Sequence, residues 1–167
     1  VYDIYVNGCL VGNEFLKPGF THYEKTKYSF TYDITEAFNT GSGAENVLAA
    51  QVTPGWWADK IATLDHHDGM IGKKCAFRSV VELVYADGTV RHYGTDLDNW
   101  KAGIAGPVTH AAIFDGEFYD ARIAPGYETP EKLSTPEENK EFPGKIFPTQ
   151  GAEIYLRKDI ALDPVKT

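Results

Sequence analysis

Apolar and polar residues alternate along most of this chain with a period of two rather than 3.6, and that pattern predicts strands. Val1 to Val6 and Cys9 to Val11 flank Asn7-Gly8, the pair that accepts positive φ at both corners of a two-residue turn, so these residues predict a hairpin. Tyr28 to Ile34 sets Tyr28, Phe30 and Tyr32 against Ser29, Thr31 and Asp33, predicting a half-buried strand. Thr35-Glu36-Ala37-Phe38 then predicts a short capped helical turn that ends before Gly41-Ser42-Gly43. Asn46 to Val52 is almost continuously apolar and predicts a buried strand; Val80 to Tyr85 and Val90 to Tyr93 around Asp87-Gly88 predict a second hairpin. Val108 to Phe114, Glu117 to Ile123 and Glu153 to Leu156 complete the set.

Helical periodicity is almost absent, and short strands punctuated by Gly, Pro and Asp point to a sandwich or barrel. Pro125 to Pro148 breaks the pattern. It is rich in Pro, Glu and Lys and has few large apolar residues besides Leu133, Phe142, Ile146 and Phe147, so it predicts a long surface excursion: an insertion or linker without chemistry of its own. No internal repeat is present.

The densest cluster of charge and aromatic character is Phe114 to Arg122, which holds Asp115, Glu117 and Asp120 with the aromatics Phe114, Phe118 and Tyr119 and an Arg. Strand alternation predicts an acidic face from Asp115, Glu117 and Tyr119, and Arg122 is the nearest group able to grip a carboxylate with two parallel bonds. Asp115 and Glu117, two apart on one strand face, would sit roughly 7 Å apart, a spacing that glycoside hydrolysis by inversion can use. A hydrogen-bonded network fixing strand and loop register is the structural alternative, and the one expected here.

Composition narrows the partners. A chain of 167 residues that is 43% hydrophobic suffices for one domain, residues 1–167, with its own core. Its net charge of −8, without clustered Lys and Arg, argues against nucleic acid or an anionic membrane and leaves neutral sugars compatible. No apolar run approaches a membrane span and no leader opens the chain; because Val1 begins inside a strand, the sequence reads as a piece of a longer one. Cys9 and Cys75 could pair, but two buried thiols are the more economical reading.

Trp56 and Trp57 follow Pro54-Gly55 at the end of a predicted strand, where at least one indole should turn to the rim and offer sugars a stacking face. Neighbouring strand residues point oppositely, so one inside and one outside is expected. Asp65-His66-His67-Asp68 sets four potential ligands in a row, and Asp59, Asp65, Asp68, Asp96, Asp98 and Asn99 supply oxygen donors at loop ends. They suit calcium better than zinc, whose spacing is missing, and solvated loop acids are the plain alternative. No phosphate-cradling glycine loop or nucleophile elbow is present, and His22, His92 and His110 read as structural.

Seven blocks in one order carry a resemblance: Tyr5-Val6-Asn7-Gly8, Pro18-Gly19-Phe20-Thr21, Tyr32-Asp33-Ile34-Thr35, Pro54-Gly55-Trp56-Trp57, Tyr85-Ala86-Asp87-Gly88-Thr89, Thr95 to Lys101, and Phe114 to Arg122. Together they resemble the amino-terminal β-domain of bacterial α-L-rhamnosidases. The resemblance implies an all-β, galactose-binding-like jelly-roll β-sandwich with a long, partly irregular insertion at residues 125–148. It implies a non-catalytic accessory domain whose partners are rhamnose-containing carbohydrate and the catalytic helical barrel of the same chain, in a periplasmic or extracellular parent. Some domains of this kind bind sugar through a calcium ion that bridges acidic and amide side chains to sugar hydroxyls. Carried to the region rather than to matched residues, this gives Trp56, Trp57, Asp59 and Asn99 for sugar and Asp59, Asp96, Asp98 and Asn99 for calcium. A domain that only braces the barrel is the competing expectation.

Overall fold

The structure, a computed structural model, describes residues 1–60, 71–140, 144–160 and Leu162. Among them are eleven strands, one helical turn and four single 3₁₀ turns, so the all-β class expected from the sequence is the one adopted. The chain divides into two compact units, Val1–Gln51 with Gly144–Thr167, and Val52–Pro143.

In the first unit, β1 (Tyr2–Val6) and β2 (Cys9–Val11) form the predicted antiparallel hairpin, with Ile4 opposite Val11, Tyr5 opposite Leu10 and Val6 opposite Cys9. Asn7 and Gly8 take φ of 49° and 81° at its corner. Asn7 also ties the turn to the chain ahead of the next strand: its N–H donates to Val47 O at 2.9 Å, its side-chain oxygen accepts from Val47 N at 2.9 Å, and Nδ2 donates to Ala37 O and Asn46 Oδ1 at 2.8 Å each. β5 (Leu48–Val52) then pairs with the open edge of β1, giving the order β2-β1-β5. It is half-buried rather than buried, with Val52 exposed.

Two further pairs join the ends of this unit. β3 (Glu14–Phe15) pairs antiparallel with β11 (Ile154–Tyr155), and β4 (Thr26–Ser29) pairs in parallel with β10 (Lys145–Pro148), the last four residues of the predicted excursion. The strand predicted from Tyr28 to Ile34 thus starts earlier and stops at Ser29. Phe30 and Tyr32 keep the expected alternation, their rings stacked 6.3 Å apart, but their backbone has no ladder to join. The 3₁₀ turn at Thr35–Ala37 follows, with Asp33 Oδ1 accepting from Thr35 N at 3.0 Å and from its hydroxyl at 2.6 Å.

The centre of this unit holds Val6, Val11 and Tyr23 and, unexpectedly, Lys17, which is 2% exposed. Burying an ammonium is costly unless it is paired. Lys17 Nζ lies 3.8 Å from both Asp3 and Glu14, donates to Val11 O at 3.4 Å, and sits 5.6 and 5.5 Å from the Tyr2 and Tyr32 ring centres. Tyr32 donates its hydroxyl to Glu14 Oε2 at 3.0 Å, completing a cage of carboxylates and aromatic faces.

In the second unit, β6 (Val80–Val84) and β7 (Val90–Gly94) form the second predicted hairpin. Asp87 Oδ1 accepts from Thr89 N at 2.8 Å and Gly88 takes φ of 83°, so the Asp-Gly pair works as anticipated. β8 (Val108–Ala112) and β9 (Gly116–Tyr119) make a third hairpin. Phe114 and Asp115 lie in its turn, which corrects the reading of Phe114 to Arg122 as one strand: Gly116, at φ of 86°, is where the chain re-enters the ladder. Residues Gly126–Glu128 and Pro130–Lys132 form single 3₁₀ turns, and Ala102 and Ser134 exchange two backbone hydrogen bonds of 2.8 and 2.9 Å. Cys9 and Cys75 are both free and exposed, against the expectation of buried thiols.

Candidate functional site

Trp56 and Trp57 sit in a helical turn, α1 (Gly55–Ala58), and not at the end of a strand. The expectation that they face opposite environments fails for that reason: consecutive helical residues are separated by about 100° around the axis, and both indoles are half-buried. Pro54 takes φ of −50° and ψ of −49°, already helical, and Gly55 is buried with φ of 46°, so the Pro-Gly pair sets the sharp entry into the turn.

Trp57 is fixed on two sides. Its Nε1 donates to Lys74 O at 2.8 Å, its carbonyl accepts from Gly72 N at 3.0 Å, and Gly72 packs so close that a Cβ there would lie 1.9 Å from the indole Cε2. Gly72 is required because only hydrogen fits under the ring.

Asp59 ends the turn and is 7% exposed. Oδ1 accepts from Lys60 N and Oδ2 from Ile113 N, each at 2.7 Å. Lys60 Nζ approaches Asp115 Oδ2 at 3.8 Å, so residues 59 and 60 clamp the turn of the β8–β9 hairpin by one buried carboxylate and one exposed ion pair. Sequence reasoning singled out Asp59 for chemistry but gave no sign of the clamp, since its partner is 54 positions away.

Asp96, Asp98 and Asn99 form a separate, exposed turn. Asp96 Oδ1 accepts from Asp98 N at 2.9 Å and Asn99 N at 2.6 Å, and Asn99 Nδ2 donates to Oδ1 and Oδ2 at 3.2 and 3.0 Å. The Asn99 side chain, then its backbone N–H, holds the Asp96 carboxyl below the usual carboxylate range. Among the described residues no hydrogen bond or ion pair joins this turn to Asp59, and no three His, Cys, Asp or Glu side chains gather where a metal ion could sit. Asp59 and Asp96 direct their oxygens at N–H groups, the arrangement of closed turns; among the described residues Asp98 and the Asn99 side-chain oxygen accept no hydrogen bond and are the metal or sugar donors left over. Asp65, His66, His67 and Asp68 lie outside the described residues.

The acidic stretch resolves into separate roles. Arg122 grips Asp120 as anticipated, Nε to Oδ1 at 2.8 Å and Nη2 to Oδ2 at 2.6 Å, and its N–H adds a bond to Oδ1 at 3.0 Å. That grip holds the Asp120 carboxyl below its ordinary range. Asp115 and Glu117 are exposed on the turn and on β9. Neither has the water-excluded setting in which a paired glycosidase acid and nucleophile act. No helix among the described residues is long and apolar enough to cross a membrane.

The model of the α-L-rhamnosidase N-terminal domain matches residues 1–150. An α-L-rhamnosidase of Streptomyces avermitilis is 31% identical over 166 residues, covering 96% of this chain and 15% of that protein. One of an Alteromonas species is 37% identical over 121 residues, covering 72% of this chain and 12% of the relative. The chain therefore spans about a seventh of the curated relatives' length. The crystal structure of the S. avermitilis enzyme complexed with L-rhamnose superposes with a TM-score of 0.77 at 32% identity, over 89% of this chain and 14% of the other, a likeness that supports an all-β, sandwich-like fold for this chain.

Proposed function

This chain belongs to the family of α-L-rhamnosidase N-terminal domains, and we propose that it serves a longer glycoside hydrolase of that kind as a non-catalytic domain that binds L-rhamnose-containing glycan. The observation that carries the reading is the pair of half-buried indoles in one helical turn, of which Trp57 is locked in place by Gly72 and the Lys74 carbonyl. A pyranose laid on such a face removes apolar area from water at about 25 cal/mol per Å², and a ring already held in position loses little entropy on binding. Asp98 and Asn99 supply oxygens for sugar hydroxyls, and for calcium where it takes part. Asp59 acts from beneath, by holding the turn that carries the indoles.

Titration of this chain with L-rhamnose, with calcium and then with a chelator, tests the reading through tryptophan fluorescence. Saturable quenching that is lost in Trp57→Ala is expected; no response up to about 50 mM sugar overturns it. A calcium requirement that survives Asn99→Ala would remove the exposed turn from the site.

A second reading, a brace for the catalytic domain without sugar binding of its own, is favoured by the β6–β7 hairpin, which leaves Val80, Val84 and Val90 in water on one face. It predicts no response to rhamnose in either condition.

A further inference from the structure

We propose a second saccharide site in the first unit, remote in sequence from the tryptophan turn, and selective for a sugar ring that carries a carboxylate. It is an open cleft of about 420 Å³, within the usual range of ligand sites, walled by Phe20, Tyr28 and Phe147 with His22, Lys25 and Gln150 at its polar edge. It rests on the reading above only for the class of ligand, a carbohydrate.

The backbone builds this cleft firmly. In the parallel ladder Phe147 stands opposite Tyr28, and both line the cleft. Gly19, at φ of 93°, turns the chain so that Phe20 enters from the other side, where its ring meets that of buried Tyr23 edge-on at 5.8 Å. Tyr23 in turn donates its hydroxyl to Gly19 O at 2.9 Å. His22 O accepts from Lys25 N at 2.8 Å and Thr26 N at 2.9 Å, and Lys145 N donates to Lys25 O at 2.9 Å, so the polar edge is tied to both strands. Phe20 nevertheless stays 59% exposed and Phe147 40%: apolar faces are held rigidly in water at the mouth of a cleft.

Charge decides the ligand. In a chain of net charge −8, none of the residues lining this cleft is acidic, while Lys25 and His22 both are basic. The side chains of His22, Lys25 and Gln150 make no hydrogen bond among the described residues. The hydroxyls of a neutral sugar could be met by Gln150 and the threonines of the lining, but such a sugar would leave the Lys25 ammonium without an anionic partner. A uronate offers C–H faces to the rings and a carboxylate to the Lys25 ammonium.

The test is a two-dimensional ¹⁵N–¹H NMR titration of this chain with methyl glucuronide, methyl glucoside and methyl rhamnoside. Shifts gathered over residues 19–28 and 145–150, with the glucuronide bound about fivefold tighter than the glucoside, are expected. Lys25→Gln should make the two equal, and Phe20→Ala should weaken both about tenfold. Trp57→Ala should leave this site unchanged. Both changed side chains are exposed, and retention of the wild-type spectrum elsewhere reports an intact fold. Equal affinity for glucuronide and glucoside, shifts confined to other residues, or no response to about 50 mM overturns the proposal. Methyl rhamnoside shifts near residues 54–60 report on the tryptophan turn separately, so either site can fail alone.

Discussion

Asp59 Oδ2 accepts the backbone N–H of Ile113 at 2.7 Å, so a carboxylate expected to meet sugar or metal instead joins the tryptophan turn to a hairpin 54 residues further on. Removing it leaves two amides, those of Lys60 and Ile113, without their acceptor. Asp59→Ala should cost about 1–3 kcal/mol of stability, read by urea denaturation, and Asp59→Asn, which keeps one acceptor, should cost less. A loss of sugar binding in Asp59→Ala with unchanged stability would contradict the clamp.

Gly72→Ala puts a methyl group into the Trp57 indole. The ring has to leave the Lys74 carbonyl to make room. A loss of about 1–3 kcal/mol is expected, together with a shift of the tryptophan emission maximum, both measured on the same denaturation series.

Lys17→Ala leaves Glu14, whose side chain is nearly buried, without its cation. Breaking one side of such a pair typically costs about 3–5 kcal/mol, whereas Lys17→Met, which keeps the length and apolar stem, should cost less. Guanidinium denaturation distinguishes the two, and equal losses would show that the apolar stem contributes nothing beyond the ammonium.

Alkaline stability follows from the tyrosines. Burial, and for Tyr2 then the charge on Glu14, pushes the Tyr2 and Tyr23 hydroxyls up to about 12. Burial followed by the bond to Glu14 moves Tyr32 upward as well. A folded-state value above the unfolded one means a contribution fully present below about pH 10 and lost as pH rises through the folded values. Thermal unfolding should therefore stay level to about pH 10 and fall between there and pH 12, less steeply in Tyr2→Phe.

Arg122→Ala should let the Asp120 carboxyl rise toward its ordinary value, because the guanidinium bond is the first cause of its depression. A depressed carboxylate stabilises above its unfolded value, about 3.9, and that contribution fades as pH falls below it. A ¹³C NMR titration of Asp120 reads the change directly, and an unmoved midpoint would show that the ion pair does not persist in water.

Local chemistry was the legible part of the sequence. Asn7-Gly8 and Asp87-Gly88 fixed two hairpins because a turn needing positive φ names its residues, and the Arg122 grip on Asp120 lies within two positions. Long-range relations left no such mark. Trp56 and Trp57 read as a strand end because two adjacent aromatics carry no period, while Pro54 and Gly55 bend them into a helical turn. Nothing in the pattern around Lys17 marks it as buried, since Asp3, Glu14, Tyr2 and Tyr32 converge on it only in the fold. β10 was hidden in a Pro- and Lys-rich stretch, whose edge pairing to β4 tolerates Pro148 at its end.

The parallel ladder that sets Phe147 beside Tyr28 has a consequence for synthesis. Its partners stand more than a hundred positions apart, and Ser29 Oγ reaches Phe147 O across 118 of them. Residues 26–29 must wait with an unpaired edge until the ribosome has released residue 148, while the hairpins between them can form as they emerge. A stop codon anywhere before that point would yield a nascent product with an open β4 edge, a target for proteases and for self-association.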